Sequence, residues 1–281
     1  MAIRIITDST SDIAFQRQKE LGIEIIPLSV RFGKEEYLDG VDLTKPQFYE
    51  KLAAAPELPT TAQINPERFV KIFSQYPPED EIIGIFISGR MSGTYQSAGI
   101  AKNLLGAQNV YLVDSRVVTF GLGLLVLEAV RMRDEGCSAK EICEKLEALK
   151  PRMRFYAVIG TLKYLKMGGR LSASSALFGA MLQIKPIVTF RDGEVLAIEK
   201  RKGMKAAIAW ITESLQRDPP DERHLILLGD SIAPDVEQLL RQSLSEHFDL
   251  SGSEPFELGS VVGTHAGPGC AGVAYISKNN P

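Results

Sequence analysis

This 281-residue sequence has no long apolar run. No stretch approaches the ~20 consecutive apolar residues that a membrane-spanning helix needs, so membrane contact is expected to be transient at most. The chain also begins with a strand-like stretch, without the charged, apolar and small-residue regions of a signal peptide. We therefore expect a cytoplasmic protein.

Cysteine and histidine are scarce, with three residues of each. Cys137, Cys143 and Cys270 are too few and too irregularly spaced for a disulfide framework or a zinc site, which predicts three reduced thiols without a chemical role. We expect neither a metal site nor a cofactor. The formal net charge of −3, with lysines and arginines scattered among acids, gives no basic face, so nucleic acid is not an expected partner.

Motifs of self-sufficient enzymes are absent as well. The sequence has no GxxxxGK[ST] phosphate loop, no HExxH zinc helix and no GxSxG nucleophile elbow. Gly267–Gly272 matches GxGxxG, but only nine residues follow it, which leaves no room for the helix, strand and acidic residue of a dinucleotide site. These absences disfavour a kinase, a metalloprotease or an α/β-hydrolase acting alone.

The sequence does have enough apolar residues for a real core, at 44%, and a length that suits two domains. Up to residue 150, strand-like and helix-like patterns alternate, which predicts a mostly parallel sheet covered by helices. Asn65-Pro66 and Ser138 with Glu141 are helix-start signals. The predicted strands are Ile3–Ile6, Ile23–Val30, Ile82–Ile87 and Val110–Val113, and the predicted helices are 13–20, 45–53, 66–75, 95–105, 120–134 and 139–149.

The pattern changes at Lys150-Pro151, where we place the boundary between an N-terminal α/β domain, 1–150, and a C-terminal α/β domain, 151–281. Arg191-Asp192-Gly193 separates two strand-like runs and predicts a hairpin turn, so the second sheet should be mixed or antiparallel. Its predicted strands are Phe155–Gly160, Pro186–Phe190, Glu194–Glu199, His224–Asp230, Glu254–Ser260 and Ala271–Ser277.

The segment Ile87–Ala98 combines a strand, a loop with hydroxyls and glycines, and a helix. Free N–H groups and hydroxyls at a helix N-terminus can cradle a carboxylate or phosphate. An ordinary turn capped by Ser92 explains the same residues equally well. A second polar run, between Pro59 and Pro66, is restrained in its backbone and makes Thr61 a candidate hydrogen-bond donor, although a surface connector is the plainer interpretation.

Near the C-terminus, five glycines surround His265 in the segment Gly259–Gly272. Glycine lets the backbone approach a ligand closely, and histidine can donate a hydrogen bond to an anion, which makes His265 the best histidine candidate. His224 and His247 are interpreted as structural.

Arg170 follows two glycines after a predicted strand and could meet an anion, although taken alone a surface ion pair is favoured. The apolar stretch Ala176–Leu182, together with Met91 and Met167, could wall an apolar tunnel, but such stretches are more often simply core.

Three strands end in Asp-Ser, at Asp8-Ser9, Asp114-Ser115 and Asp230-Ser231. Capping of the following helix is the preferred interpretation at each. Ligands of open α/β sheets bind beyond the carboxyl ends of strands, so Asp8 and Ser9 remain secondary site candidates.

Taken together and in order, several segments resemble the DegV family, the bacterial fatty-acid-binding proteins also called FakB. Each segment is weakly specific, but their combination is highly specific and covers essentially the whole chain. The segments are Thr7–Thr10, Pro59–Gln63, Ser92–Ala98, Leu162–Arg170, Ile184–Ile187 and Thr264–Gly269. One departure is Ser88-Gly89, where the family usually has two serines.

The resemblance implies a DegV-like fold of two α/β domains, with a long-chain fatty acid in a tunnel at and beside their interface. It implies a non-catalytic carrier, whose bound fatty acid a separate ATP-dependent kinase converts to an acyl phosphate for phospholipid synthesis. By position, the resemblance implies carboxylate donors at Thr61, Ser92 and His265, with Thr60, Gly93, Thr94 and Arg170 as close support.

Two other functions remain open. One is a small-molecule phosphotransferase or hydrolase that uses His265 as a base with Ser92 or Asp8, although no nucleotide or metal motif accompanies these residues. The other is a lipid sensor linked to transcription.

Overall fold

The computed structural model describes residues 2–173, 183–253 and 255–280. The first half of the chain builds a four-stranded parallel sheet of order β2-β1-β6-β7. Its isoleucine-rich strands are mostly buried, as is typical of a parallel sheet covered on both faces. The strands are β1 (Ile3–Asp8), β2 (Ile23–Ile26), β6 (Glu81–Phe86) and β7 (Val110–Asp114).

The single strand predicted over Ile23–Val30 is wrong, because the chain changes sheets at Pro27. Proline has no N–H to donate to a sheet ladder, and the pairing of β2 ends just before it. The next strand joins an antiparallel sheet of order β4-β3-β5. This small sheet was not predicted, and it consists of β3 (Ser29–Phe32), β4 (Glu35–Leu38) and β5 (Thr60–Ala62).

Helices cover the parallel sheet. The predicted helix 13–20 is reduced to a short 3-10 turn followed by α1, whereas the other five predictions in this half are confirmed within a residue or so. Asn65 caps α3 and Ser138 forms a capping box with Glu141 at α6, as predicted. The helices are α1 (Gln18–Leu21), α2 (Lys45–Ala54), α3 (Pro66–Ser74), α4 (Thr94–Leu105), α5 (Phe120–Asp134) and α6 (Ala139–Leu149). Helix α5 packs against both main sheets and is therefore buried almost all round.

The second half builds a six-stranded sheet of order β10-β9-β8-β13-β11-β12, which is antiparallel except for its last pair. The hairpin between β9 and β10 turns at Asp192 and Gly193, both with positive φ, and confirms that prediction. The strands are β8 (Met153–Val158), β9 (Ile184–Arg191), β10 (Glu194–Lys202), β11 (Leu227–Asp230), β12 (Pro255–Glu257) and β13 (Ala271–Ile276). Helices α8 (Met204–Arg217) and α9 (Pro234–Ser245) cover its outer face.

Two short helices carry the site, α7 (Lys163–Met167) and α10 (Ser260–Ala266). The strand predicted over Glu254–Ser260 is therefore too long, since β12 ends at Glu257, and the glycine-rich segment is partly helical. Although α10 connects β12 and β13 of the six-stranded sheet, it packs on α2, β3 and β5 of the first half. Gly263 permits this approach, because a Cβ there would lie 2.7 Å from both the Phe48 ring and the Tyr49 hydroxyl.

Candidate ligand-binding site

A cavity of about 350 Å³ lies between the two halves of the chain, within the size range of small-molecule sites. Strand β8 forms one wall, because alternate side chains of a strand share a face. The apolar lining is Leu28, Ala62, Ile87, Met91, Val118, Phe120, Phe155, Ala157, Ile159, Leu165, Val188, Phe190, Val195, Leu258, Val261, Val262, Ala266 and Ala271. The predicted apolar wall 176–182 lies outside the described residues.

Five polar side chains from four separate segments also line the cavity: Thr61, Gln63, Ser92, Arg170 and His265. Thr61 lies on β5 and Gln63 directly follows this strand. Ser92 precedes α4, Arg170 follows α7 and His265 lies on α10. Thr10 and Thr119 line the cavity too, but their hydroxyls donate to the buried Asp8 and Asp12 carboxylates. The residues predicted from distant segments therefore meet at one cavity.

Thr61 and His265 are joined by a contact of 2.9 Å between Oγ1 and Nε2. The other ring nitrogen, Nδ1, is buried and has no hydrogen-bond partner among the described residues. Burial, and then the charge of Arg170, lowers the pKa of His265 to about 4. The imidazole is therefore neutral at pH 7.

Ser92 lies at the start of α4, where its Oγ is 3.0 Å from the Thr94 hydroxyl and accepts from the Thr94 N–H at 3.3 Å. The turn interpretation and the site interpretation are thus compatible, since Ser92 bonds the helix N-terminus and also lines the cavity. Gly93 packs under Gln63, because a Cβ at Gly93 would lie 1.9 Å from the Gln63 Oε1. Gln63 also donates to Ser97 at 3.1 Å, so it ties β5 to α4.

Arg170 is half-buried and lines the cavity. Its Nη1 donates to the Gly168 carbonyl at 2.7 Å, and its Nε donates to the Met91 carbonyl at 3.4 Å. The guanidinium therefore bridges α7 and the Ser92 loop, and the ion-pair interpretation finds no support among the described residues.

Two of the predicted supporting residues do not line the cavity. Thr60 is exposed on β5 because it points to the opposite face from Thr61, and Thr94 is fully buried beneath Ser92. Asp8 does not line it either: its carboxylate accepts from the backbone N–H groups of Thr10 and Ile87. Asp114 and Asp230 likewise accept from backbone N–H groups, as capping or turn residues do.

The Ser88-Gly89 departure affects how the two halves meet. Ser88 is fully buried and donates to the Gly193 carbonyl of the β9–β10 hairpin at 2.7 Å. A Cβ at Gly89 would lie 2.9 Å from the Gln96 Nε2 and 3.1 Å from the Asp114 Oδ2. Gly89 therefore allows this loop to pack tightly.

The remaining histidines and cysteines are not part of this arrangement, apart from Cys270. His224 lies 3.0 Å from Glu128 and His247 is exposed beyond α9. Cys270 lines the cavity, and burial raises the pKa of its thiol. Within residues 2–173, 183–253 and 255–280, no His, Cys, Asp and Glu side chains are grouped to hold a metal ion, and no helix is long and apolar enough to cross a bilayer.

Sequence reasoning missed Gln63 as a lining residue and the phenylalanines that close the cavity. The phenylalanines had a visible signal, since Phe155 and Ala157 alternate along β8, Ile159 continues the alternation just after it, and the three share a face. Gln63 had none, because its role depends on a contact with Gly93 across the fold.

The three sheets, their covering helices and the cavity define an α/β protein with a buried apolar binding site that has polar groups from several segments. A family model described as an uncharacterised protein of the DegV family matches residues 2–278. The chain belongs to the DegV family.

Relatives and solved structures agree with this assignment. A DegV domain-containing protein of Caldanaerobacter subterraneus subsp. tengcongensis is 38% identical over 282 residues, covering 98% of this chain and 99% of the relative. A structure described as fatty acid binding of a DegV family protein from Thermus thermophilus has a TM-score of 0.91 and 31% identity, covering 99% of this chain and all of that one. DegV from Bacillus subtilis, described as a fatty acid binding protein, has a TM-score of 0.84 and 29% identity, with 99% and 100% covered.

Proposed function

We propose that this chain binds a long-chain fatty acid, with the acyl chain in the apolar cavity and the carboxylate at its polar side chains. The observation that carries the proposal is the cavity itself, in which apolar side chains predominate and Thr61, Ser92 and His265 converge from distant segments. The fatty acid binding described for the Thermus thermophilus and Bacillus subtilis proteins supports it.

Burial of the acyl chain supplies most of the binding energy. Each methylene moved from water into an apolar site contributes about 0.8 kcal/mol, so ten contribute roughly 8 kcal/mol. A hydrogen bond to a charged carboxylate contributes about 1.5–3 kcal/mol, and together such bonds offset the cost of desolvating it. Tight binding therefore requires no metal.

The hydrogen-bond pattern leaves two hydroxyl protons for the carboxylate. We assign the His265 proton to Nε2, because Nδ1 has no acceptor among the described residues and an unpaired acceptor is tolerated better than an unpaired donor. Nε2 then donates to Thr61, whose hydroxyl is free to donate to the ligand. The Ser92 hydroxyl is likewise free to donate to the ligand when the Thr94 hydroxyl donates to Ser92.

This head-group site suits a carrier whose ligand is modified by another protein. A direct ion pair would reduce the nucleophilicity of the carboxylate, whereas the two described hydrogen bonds of Arg170 go to backbone carbonyls. We propose that a separate ATP-dependent kinase in the cytoplasm phosphorylates the bound fatty acid, and that 1–150 and 151–281 are the two domains that enclose it.

Lipid extraction tests the binding proposal directly. Protein purified from a bacterial host should release a fatty acid in about equimolar amount, identified by mass spectrometry of the denatured extract. The delipidated protein should then rebind saturated or monounsaturated fatty acids. An extract that contains only nucleotide or sugar, together with no rebinding, refutes the proposal.

A further inference from the structure

A second space, of about 750 Å³, lies beside the ligand cavity at the seam between the two halves of the chain. The two spaces share two lining residues, Phe155 and Phe190. These side chains therefore form the partition between an apolar cavity and a more polar groove. The groove is lined by charged residues such as Arg116 and Lys150, but also by the apolar Val117, Met153 and Ile198.

The partition lies at the far end of the cavity from His265. Gly160 lies against the loop that follows α10, since a Cβ there would be 2.9 Å from the Pro268 carbonyl oxygen. Ile159 is therefore at the histidine end, and Phe155 is four residues back along the same strand, about 13 Å away. An acyl chain that starts at the polar side chains and follows β8 ends at Phe155.

The partition is a cross-strand aromatic pair. Ala157 of β8 pairs with Val188 of β9, so Phe155 and Phe190 face each other two residues further on, with ring centroids 4.7 Å apart. Phe120 also stacks on Phe155, with ring centroids 4.9 Å apart. Phe155 thus contacts two rings and is buried, whereas Phe190 is only half-buried and is the more exposed member of the partition.

The position of Phe190 is fixed from the opposite half of the chain. Phe190 lies near the end of β9, and in the hairpin turn that follows this strand the Gly193 carbonyl accepts a hydrogen bond from Ser88. Arg90 forms an ion pair of 3.1 Å with Glu194 on the same hairpin. The ring is therefore held in place by its strand partners and by contacts across the seam.

We propose that Phe190 sets the maximum acyl-chain length that the cavity accepts. The inference rests on the fatty-acid binding proposed above. Removing the ring joins the cavity to the groove, and the space beyond it is bordered by Val117, Met153 and Ile198, so that additional methylenes are still buried against apolar side chains.

Chain-length titrations of delipidated protein test this inference. Wild type, Phe190→Ala and Phe190→Leu are titrated with saturated fatty acids of increasing length. Phe248→Ala is the matched control, because Phe248 is half-buried on the outer face of the six-stranded sheet and lines neither space. Affinity should rise about fourfold per methylene, equivalent to 0.8 kcal/mol, until the chain reaches the partition.

For wild type and Phe248→Ala the increase should stop at the same length. For Phe190→Ala the increase in affinity should continue over several further methylenes, while short fatty acids bind as they do to wild type. For Phe190→Leu the increase should continue over fewer methylenes than for Phe190→Ala. If Phe190→Ala does not fold, the stopping length of Phe190→Leu tests the inference. An unchanged stopping length in the folded Phe190 variants overturns the inference alone, whereas wild type that binds no fatty acid of any length overturns the proposed function and the inference together.

Discussion

Replacing Thr61 by valine should weaken fatty-acid binding without abolishing it. Valine keeps the branched shape of threonine and removes the hydroxyl that accepts from His265 and is free to donate to the ligand. One hydrogen bond to a charged group contributes about 1.5–3 kcal/mol, which corresponds to an increase in Kd of about 10- to 150-fold. Ten buried methylenes contribute roughly 8 kcal/mol, so the variant should still bind.

Thr60→Val is the matched control for this substitution. Thr60 precedes Thr61 on the same strand, but its side chain is exposed and does not line the cavity. The two variants therefore make the same chemical change on opposite faces of β5, and Thr60→Val should bind as wild type does.

Displacement of a fluorescent fatty acid measures Kd for the three proteins. The ligand-free Thr61→Val protein should also unfold at a lower temperature, because the buried Nε2–H of His265 loses its acceptor at a cost of about 1–3 kcal/mol. Equal Kd values for Thr61→Val and Thr60→Val, with both proteins folded, would refute the assignment of Thr61 as a head-group donor.

Three further predictions concern the same site. Gly93→Ala should weaken fatty-acid binding and lower stability, because the new methyl group displaces Gln63. Gly99→Ala is the control and should bind like wild type, because nothing lies within 4 Å of its new Cβ. Similar fatty-acid titration curves for the two variants would contradict the packing argument. Because the pKa of His265 is lowered to about 4, the folded state binds this proton less readily than the unfolded state, and the free energy of unfolding should fall by about 3 kcal/mol as the pH falls from 6.5 to 4. Urea unfolding should show this decrease in wild type and not in His265→Ala, and equal decreases in the two proteins would contradict the prediction. With labelled ATP, magnesium and fatty acid, the chain alone should form no acyl phosphate until a fatty acid kinase is added, and product without the kinase would support an enzyme instead.

The fold was predictable where local patterns determine structure. The isoleucine-rich strands β1 and β6, the Asp192-Gly193 turn and the Ser138 capping box depend on residues close together in the chain, and all were predicted. Helix α10 was not, because a seven-residue helix that contains Gly263 is stabilised mainly by packing on α2 rather than by its own propensity.

The candidate site was predictable in its residues but not in its contacts. Thr61, Ser92, Gly93, Arg170 and His265 all line the cavity, while their contact with a ligand stays a prediction. The sequence could not show that Thr60 faces away, since β5 was interpreted as a loop and a loop has no defined faces.

The position of α10 has a consequence for biosynthesis. The partners of the Thr61–His265 hydrogen bond are 204 residues apart, so the first polar element of the site is made long before the last. Until α10 emerges from the ribosome, the apolar surface around Phe48 and Leu52 lacks the helix that Gly263 brings against it. A nascent chain therefore exposes this surface through most of its synthesis and offers it to chaperones, and a prematurely terminated chain keeps it exposed.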